Sequence, residues 1–341
     1  MFFKFGVCTL NKNKMTIADY IVEFLYDLGV RKIFLLSGTG SVQLDDAFAK
    51  KKGMEYICAR HEATAVVMAE AVAKLKNKIG VAVVTTGPGG TNAIAGVTEA
   101  WVDSVPVIVI SGQVKTDQYI KDRAFGIQGF NIIDNVKRFT KYAAFINDPV
   151  TIRYHMERAV YEALSGRPGP VWVDIPMDLQ AAVVDIESQK KFVPPSADTD
   201  ISPSIDQLIN LLRESKKPLV SFGRGVKISN CKNELIQFLR NTKIPAISAR
   251  MGNDVLNYSN ENYFGMGGIR GRRAASRIMK KADLLITLGT SNCYTFFGDH
   301  DDLLSDKCKL VVVNIDDKIF NRTDLNIHLP IKTDLKKFLS L

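Results

Sequence analysis

Glu62 stands out first for chemistry. It follows a short apolar run at residues 56–59 and precedes Ala63, Ala65, Val66, Val67 and Met68, so its carboxyl sits at a helix start with little polar company. Two readings are open. An acid in a first helical turn complements the helix dipole, worth a few tenths of a kcal/mol to about 1. Alternatively, Arg60 and His61 before it and the small residues after it leave the carboxyl presented to a ligand. A second stretch of ligand type, T-T-G-P-G-G-T-N at residues 85–92, follows one βα unit later. Gly87, Gly89 and Gly90 let backbone approach a ligand, Pro88 fixes the turn, and Asn92 offers both a donor and an acceptor. A tight turn with Thr91 or Asn92 as helix cap would use the same residues.

These residues need elements that bring them to one edge. Residues 56–59 and 81–85 read as buried parallel strands, each feeding a helix whose first turn lies at the strand's carboxyl end. In open α/β sheets that edge is where ligands bind. Upstream, Thr16 and Asp19 make a capping box, and Ile17, Tyr20, Ile21, Phe24, Leu25 and Leu28 give an apolar helical face closed by Gly29. Residues 32–36 form the first strand and end in S-G-T-G-S at 37–41, where Gly38 permits close backbone approach. A helix continues through 93–101, and 105–111 suit the middle of a sheet. Periodicity then fails from 112 to 135, as in a functional or mobile loop. Residues 137–146 read as strand, Asp148 and Pro149 open a helix through Leu164, and 171–175 close the sheet.

The alternation predicts an α/β doubly wound parallel sheet. Residues 180–203, with Pro194 and Pro195, lose periodicity. A second α/β pattern follows, with helices at 205–214, 232–241 and 274–282, strands at 219–222, 246–249, 284–288 and 310–315, and a last helix from Thr333. The expected organisation is a leader at 1–14, a first domain at 15–185, a linker at 186–203 and a second domain at 204–341.

Composition narrows the function classes. The chain has 341 residues, 46% of them hydrophobic, enough to bury two cores. Its net charge of +9 arises from 45 bases interspersed with 36 acids. No basic run is interleaved with aromatics, which argues against nucleic acid as a partner. Cys8, Cys58, Cys231, Cys293 and Cys308 are scattered and form no C-x-x-C pair. That pattern predicts reduced thiols in the cytoplasm, with no disulfide framework and no protein-built metal site. No apolar run reaches membrane-spanning length, so a soluble, intracellular protein is expected, with no membrane partner.

Five ordered motifs carry a resemblance: R-H-E at 60–62, T-T-G-P-G-G-T-N at 85–92, D-S-V-P at 103–106, S-G-Q-V at 111–114 and S-G-R-P-G-P-V-W-V-D-I-P at 165–176. Together they resemble the pyrimidine-binding domain of thiamine diphosphate enzymes, within the acetolactate synthase branch, and the second α/β pattern resembles that family's central domain. The resemblance implies thiamine diphosphate as cofactor, with Glu62 hydrogen-bonded to ring nitrogen N1' of its aminopyrimidine. That bond turns the cofactor's own 4'-amino group into a base, and a dry pocket strengthens it. Gly38, Pro88, Asn92 and Gln128 fall on positions beside the cofactor or substrate, with Ala124, Phe125 and Gln128 aligning, across an insertion of about three residues, with a family A-F-Q that reaches the active site. Ser104, Lys141 and Arg167 fall on family positions near the site or near a flavin.

The sequence also departs from the family pattern. The usual Y-P-G-G is Leu36, Ser37, Gly38 and Thr39. The G-D-G motif and distant asparagine that hold Mg²⁺ and the diphosphate are not found, so the chain reads as a two-domain portion, inactive alone, with those groups held by a separate domain or subunit. The arginines of the family's flavin segment are replaced at 289–295, while Gly223, Gly225, residues 265–268 and Asp316 keep the look of a nucleotide cradle; FAD stays open. The implied reaction is carboligation or decarboxylation of a 2-oxo acid such as pyruvate, in a homodimer or tetramer. Rival readings are a carboligase or C–C hydrolase on sugar-like or diketone substrates, and a noncatalytic scaffold.

Overall fold

The structure, a computed structural model, describes residues 14–119, 128–195, 200–298, 304–305 and 307–341. The chain divides into two compact units, Met1–Pro195 and Ser196–Leu341.

The first unit opens with β1 (Lys14–Thr16) and α1 (Ile17–Asp27), where the Thr16 hydroxyl caps the helix by accepting from the Asp19 N–H at 3.1 Å. Then come β2 (Lys32–Leu35), α2 (Val42–Lys50), β3 (Glu55–Cys58), α3 (Glu62–Lys76), β4 (Gly80–Val84), α4 (Pro88–Val102) and β5 (Val107–Gln113). The unit continues with α5 (Ile132–Val136), β6 (Tyr142–Phe145), α6 (Ile152–Leu164), β7 (Val171–Pro176), α7 (Met177–Gln180) and β8 (Val183–Asp185). Six strands form one parallel sheet in the order β3-β2-β4-β5-β7-β6. A separate antiparallel pair sets Lys14 of β1 opposite Asp185 of β8. The unbroken apolar runs of β4 and β5 are fully buried, as central parallel strands covered on both faces must be. One core lies on the α1 and α6 face, and the other, which includes Trp172, on the α3 and α4 face.

Several expectations are corrected at the edges of this sheet. Residues 56–59 do make a parallel strand, but not a buried one: β3 has a single neighbour, Tyr56 is 47% exposed and Cys58 is also exposed. Residues 171–175 do not close the sheet, because β7 inserts between β5 and β6 and leaves β6 at the edge. Of residues 137–146 only β6 is strand, and α5 occupies part of the stretch read as loop. Past α7 and β8, Glu157 accepts from the Phe192 N–H at 2.7 Å and Arg153 donates to the Ile186 carbonyl at 2.9 Å, binding residues 186–192 to the first unit.

The second unit contains β9 (Pro218–Phe222), β10 (Ala246–Ser248), β11 (Tyr263–Met266), β12 (Leu284–Leu288), β13 (Lys309–Asn314) and β14 (Ile327–Lys332). They form a parallel sheet in the order β11-β10-β9-β12-β13-β14, flanked by helices that include Ser202–Glu214, Lys232–Thr242 and Arg273–Lys281. β11 and β14 were not foreseen from sequence. Both units are doubly wound parallel-sheet α/β structures. Among the described residues, no helix is long and apolar enough to cross a membrane.

Candidate active site

Turns leaving β2, β3 and β4 meet at the carboxyl edge of the first sheet. After β3 the Ala59 N–H donates to the Leu35 carbonyl at 2.8 Å, and α3 begins at Glu62. The cap of α3 is supplied by His61, whose Nδ1 accepts from the Ala63 N–H at 3.2 Å. The Glu62 side chain is therefore not needed as a cap. It is 6% exposed, and its Oε2 accepts from Asn92 Nδ2 at 3.1 Å. Its partner is thus a neutral amide, and among the described residues no cation pairs with it.

The glycine corner after β4 has specific steric reasons. Gly87 lies at φ +59°, ψ −114°, and a Cβ there would stand 2.4 Å from the Gln128 carbonyl oxygen. Neither Thr91 nor Asn92 caps α4; Pro88 begins the helix, and the Thr91 hydroxyl donates to the Pro88 carbonyl at 3.2 Å. A Cβ on Gly89 would stand 2.7 Å from Thr85 Cγ2 and 3.5 Å from Glu62 Oε1. Thr85 also fills the space beside Gly38, where a Cβ would come within 2.5 Å of it, and its Oγ1 accepts from the Gly40 N–H at 3.1 Å. Thr85 thus wedges the β2 turn against the β4 corner. Sequence reasoning missed this role, since nothing in the type or spacing of Thr85 marks a wedge.

The site residues gather in two groups joined by this corner. Glu62, Asn92 and Gly89 form one. Pro88 and Gln128 join Gly87, Thr91, Gly129 and Phe130 around an open depression of about 290 Å³, with Gln128 held at φ +65°. Gly38 connects to them through Thr85, and Ala124 and Phe125 lie outside the described residues. Near the Gly38 turn, burial raises the Asp45 carboxyl to about 6, against hydrogen bonds from Ser41 and Gly38 that lower it. Ser104, Lys141 and Arg167 do not join Glu62 within this unit. They precede β5, β6 and β7 and so fall at the amino edge of the parallel sheet, where Arg167 Nε donates to Ser104 Oγ at 2.7 Å and Lys141 Nζ to the Ser165 carbonyl at 2.5 Å. Among the described residues, no group of three or more His, Cys, Asp or Glu is placed to hold a metal ion.

Comparison with known proteins matches residues 15–136 to the N-terminal TPP binding domain of thiamine pyrophosphate enzymes, and residues 205–341 to the central domain of the same enzymes. The chain belongs to the thiamine pyrophosphate enzyme family. Within it, the chain is 34% identical over 331 residues to the acetolactate synthase large subunit of Lactococcus lactis, covering 95% of this chain and 56% of the relative. It is 30% identical to the acetolactate synthase large subunit of Corynebacterium glutamicum, covering 96% and 52%. Escherichia coli acetolactate synthase isozyme 2 large subunit is 34% identical, covering 80% and 49%. The chain spans about half the length of these curated relatives.

The residues of the first unit fit the family's aminopyrimidine. One oxygen of a buried carboxyl is committed to an amide, and the other lies 3.5 Å from the Cβ position of Gly89. The second unit fits a flavin less well. The sheet order does reverse between β9 and β12, where α/β folds bind nucleotides. Yet the two turns close on each other: Cβ atoms on Gly223 and Gly225 would meet Gly289 backbone at 2.5 and 2.6 Å, and the Gly225 N–H donates to the Gly289 carbonyl at 2.9 Å. Asp316 caps a local turn by accepting from the Lys318 N–H at 3.1 Å. Packing between turns accounts for these residues without a dinucleotide.

Proposed function

We propose that these 341 residues supply the pyrimidine-binding and central parts of an acetolactate-synthase-like enzyme acting on a 2-oxo acid such as pyruvate. The observation that carries this reading is Glu62, buried, with one oxygen held by a neutral amide and the other lying beside Gly89. When bound, thiamine diphosphate supplies a nucleophilic carbon for addition to the 2-oxo group. Glu62 would hold a proton at ring nitrogen N1', while Asn92 fixes the other oxygen of its carboxyl. Gly89 packs on Thr85, which fixes Gly38 and the glycine corner in register, and burial of Glu62 keeps water from competing for its hydrogen bond.

The diphosphate and its Mg²⁺ fall, in this proposal, to protein beyond the matched half of the relatives. Exposed Val67, Leu75 and Val102 on α3 and α4 support an assembly in which this face meets a second chain in a dimer or tetramer. No flavin role is assigned, and a cytoplasmic location suits the free thiols. The test is a panel of 2-oxo acids assayed with the enzyme carrying this chain, thiamine diphosphate and Mg²⁺. Consumption of pyruvate with release of CO₂ is expected; cofactor bound but no 2-oxo acid consumed overturns the assignment.

A further inference from the structure

Bonded to the wall of the depression is a carboxyl that no step above uses. Asp174, on β7, is 1% exposed and lies in register with Ser111 of β5 and Phe145 of β6. Ser111 Oγ donates to Asp174 Oδ1 at 2.5 Å, Gln113 Nε2 donates to Oδ2 at 3.0 Å, and the Trp172 indole N–H donates to Ser111 Oγ at 2.8 Å. Gln113 Nε2 also donates to the Phe130 carbonyl at 2.8 Å, while its Oε1 accepts from the Val114 N–H at 3.0 Å. Both amide hydrogens and the amide oxygen are therefore engaged, and the group cannot turn without losing a buried bond. Phe130, with Gln128 and Gly129, faces Gly87 and Pro88 across the depression.

We propose that Asp174 is a positioning residue: through Gln113 it holds the Phe130 carbonyl, and so the 128–130 wall, against the glycine corner, and ionisation of its carboxyl loosens that wall. The role assigned to the wall rests on the cofactor reading above; the bonds themselves do not. Ser111 and Gln113 donate to either form, but a carboxylate buried with no cation beside it among the described residues gains by any opening that brings it water. Among the described residues, Tyr119, stacked on Phe145 at 4.3 Å, is the titratable group that feels the Asp174 charge on that side, and Asp134, paired with Lys137 at 2.8 Å, acts on Tyr119 in turn. Burial brings the Asp174 carboxyl up to about 7 against the lowering effect of Ser111 and Gln113. Opening of the wall is thus favoured as pH rises toward neutrality, and the effect levels off above it.

Hydrogen exchange of the 341-residue chain without cofactor tests this directly, following peptides that cover residues 128–136 and correcting for intrinsic rates. Protection there is expected to fall roughly tenfold between pH 6 and pH 8 in the wild type, and to be independent of pH in Asp174→Asn. Should Asp174→Asn fold poorly, Trp101→Phe leaves Trp172 as the only indole, and its emission is expected to titrate with a midpoint near 7. A wild type with flat protection, a pH dependence that survives Asp174→Asn, or Trp172 emission unchanged from pH 5 to pH 9 overturns the proposal. If exchange behaves as expected while thiamine diphosphate affinity ignores pH, the network stands and the cofactor reading of the wall fails.

Discussion

Replacing Gly89 by alanine tests how the corner is built. The new Cβ would stand 2.7 Å from Thr85 Cγ2, about an ångström inside a comfortable carbon contact, while its 3.5 Å separation from Glu62 Oε1 is ordinary. Overpacking of this kind costs roughly 1–3 kcal/mol, and the better helix propensity of alanine returns up to about 1. The expected net loss is roughly 1–2 kcal/mol. Thr85→Ser removes only the offending methyl, at a cost of about 1 kcal/mol, and in that background Gly89→Ala should be neutral or stabilising. Both tryptophans, Trp101 and Trp172, lie in the first unit, so urea unfolding followed by indole emission reports on that unit alone. With an m value of about 2 kcal/mol/M, Gly89→Ala should lower the midpoint by roughly 0.5–1 M, and most of that loss should vanish when Thr85→Ser is added. Simple additivity of the two substitutions would refute the wedge.

Other outcomes follow from the same geometry. Asp174 rises from 3.8 to about 7 in the folded unit, so the folded state keeps a proton that the unfolded chain releases; stability therefore falls from about pH 4 to about pH 7 and levels off above. The span is worth roughly 4 kcal/mol, and Asp174→Asn should flatten it in the same urea assay. Buried Gln180 donates through Nε2 to the Gly40 carbonyl at 2.7 Å and the Ile175 carbonyl at 2.8 Å. Gln180→Leu strands both acceptors and should cost roughly 2–3 kcal/mol by urea midpoint. Burial raises the Cys293 thiol, but hydrogen bonds to Thr295 and Ser291 lower it further, while burial pushes Cys231 up to about 12. Mass spectrometry after brief alkylation should find exposed Cys293 modified first and Cys231 only on unfolding.

The parts of the fold that were legible are those with a local cause. Continuous apolar runs such as Val107 to Ile110 mark strands, and the Thr16 and Asp19 cap fixes a helix start. Lateral strand order has no such mark, which is why β3 passed for buried and β7 for an edge. β11 was hidden because Tyr263–Met266 is short and contains Gly265, and β14 because Ile327–Lys332 contains Pro330, tolerated there at an edge. At the site, the glycine corner was legible from composition. The cap on α3 was not, since His61 is an uncommon cap, and the bonds from Asp174 to Phe130 join residues far apart in the chain.

The most direct test of the central claim is exchange of the thiamine diphosphate C2 proton, followed by NMR in the enzyme carrying this chain, with wild type and Glu62→Gln compared at equal cofactor occupancy. The substituted amide retains the shape of the Glu62 side chain and can still bond to Asn92, but it cannot hold the proton at N1'. Exchange slowed roughly 10²- to 10⁴-fold is the predicted result. Exchange at the wild-type rate, with Glu62→Gln folded by indole emission, would contradict the account.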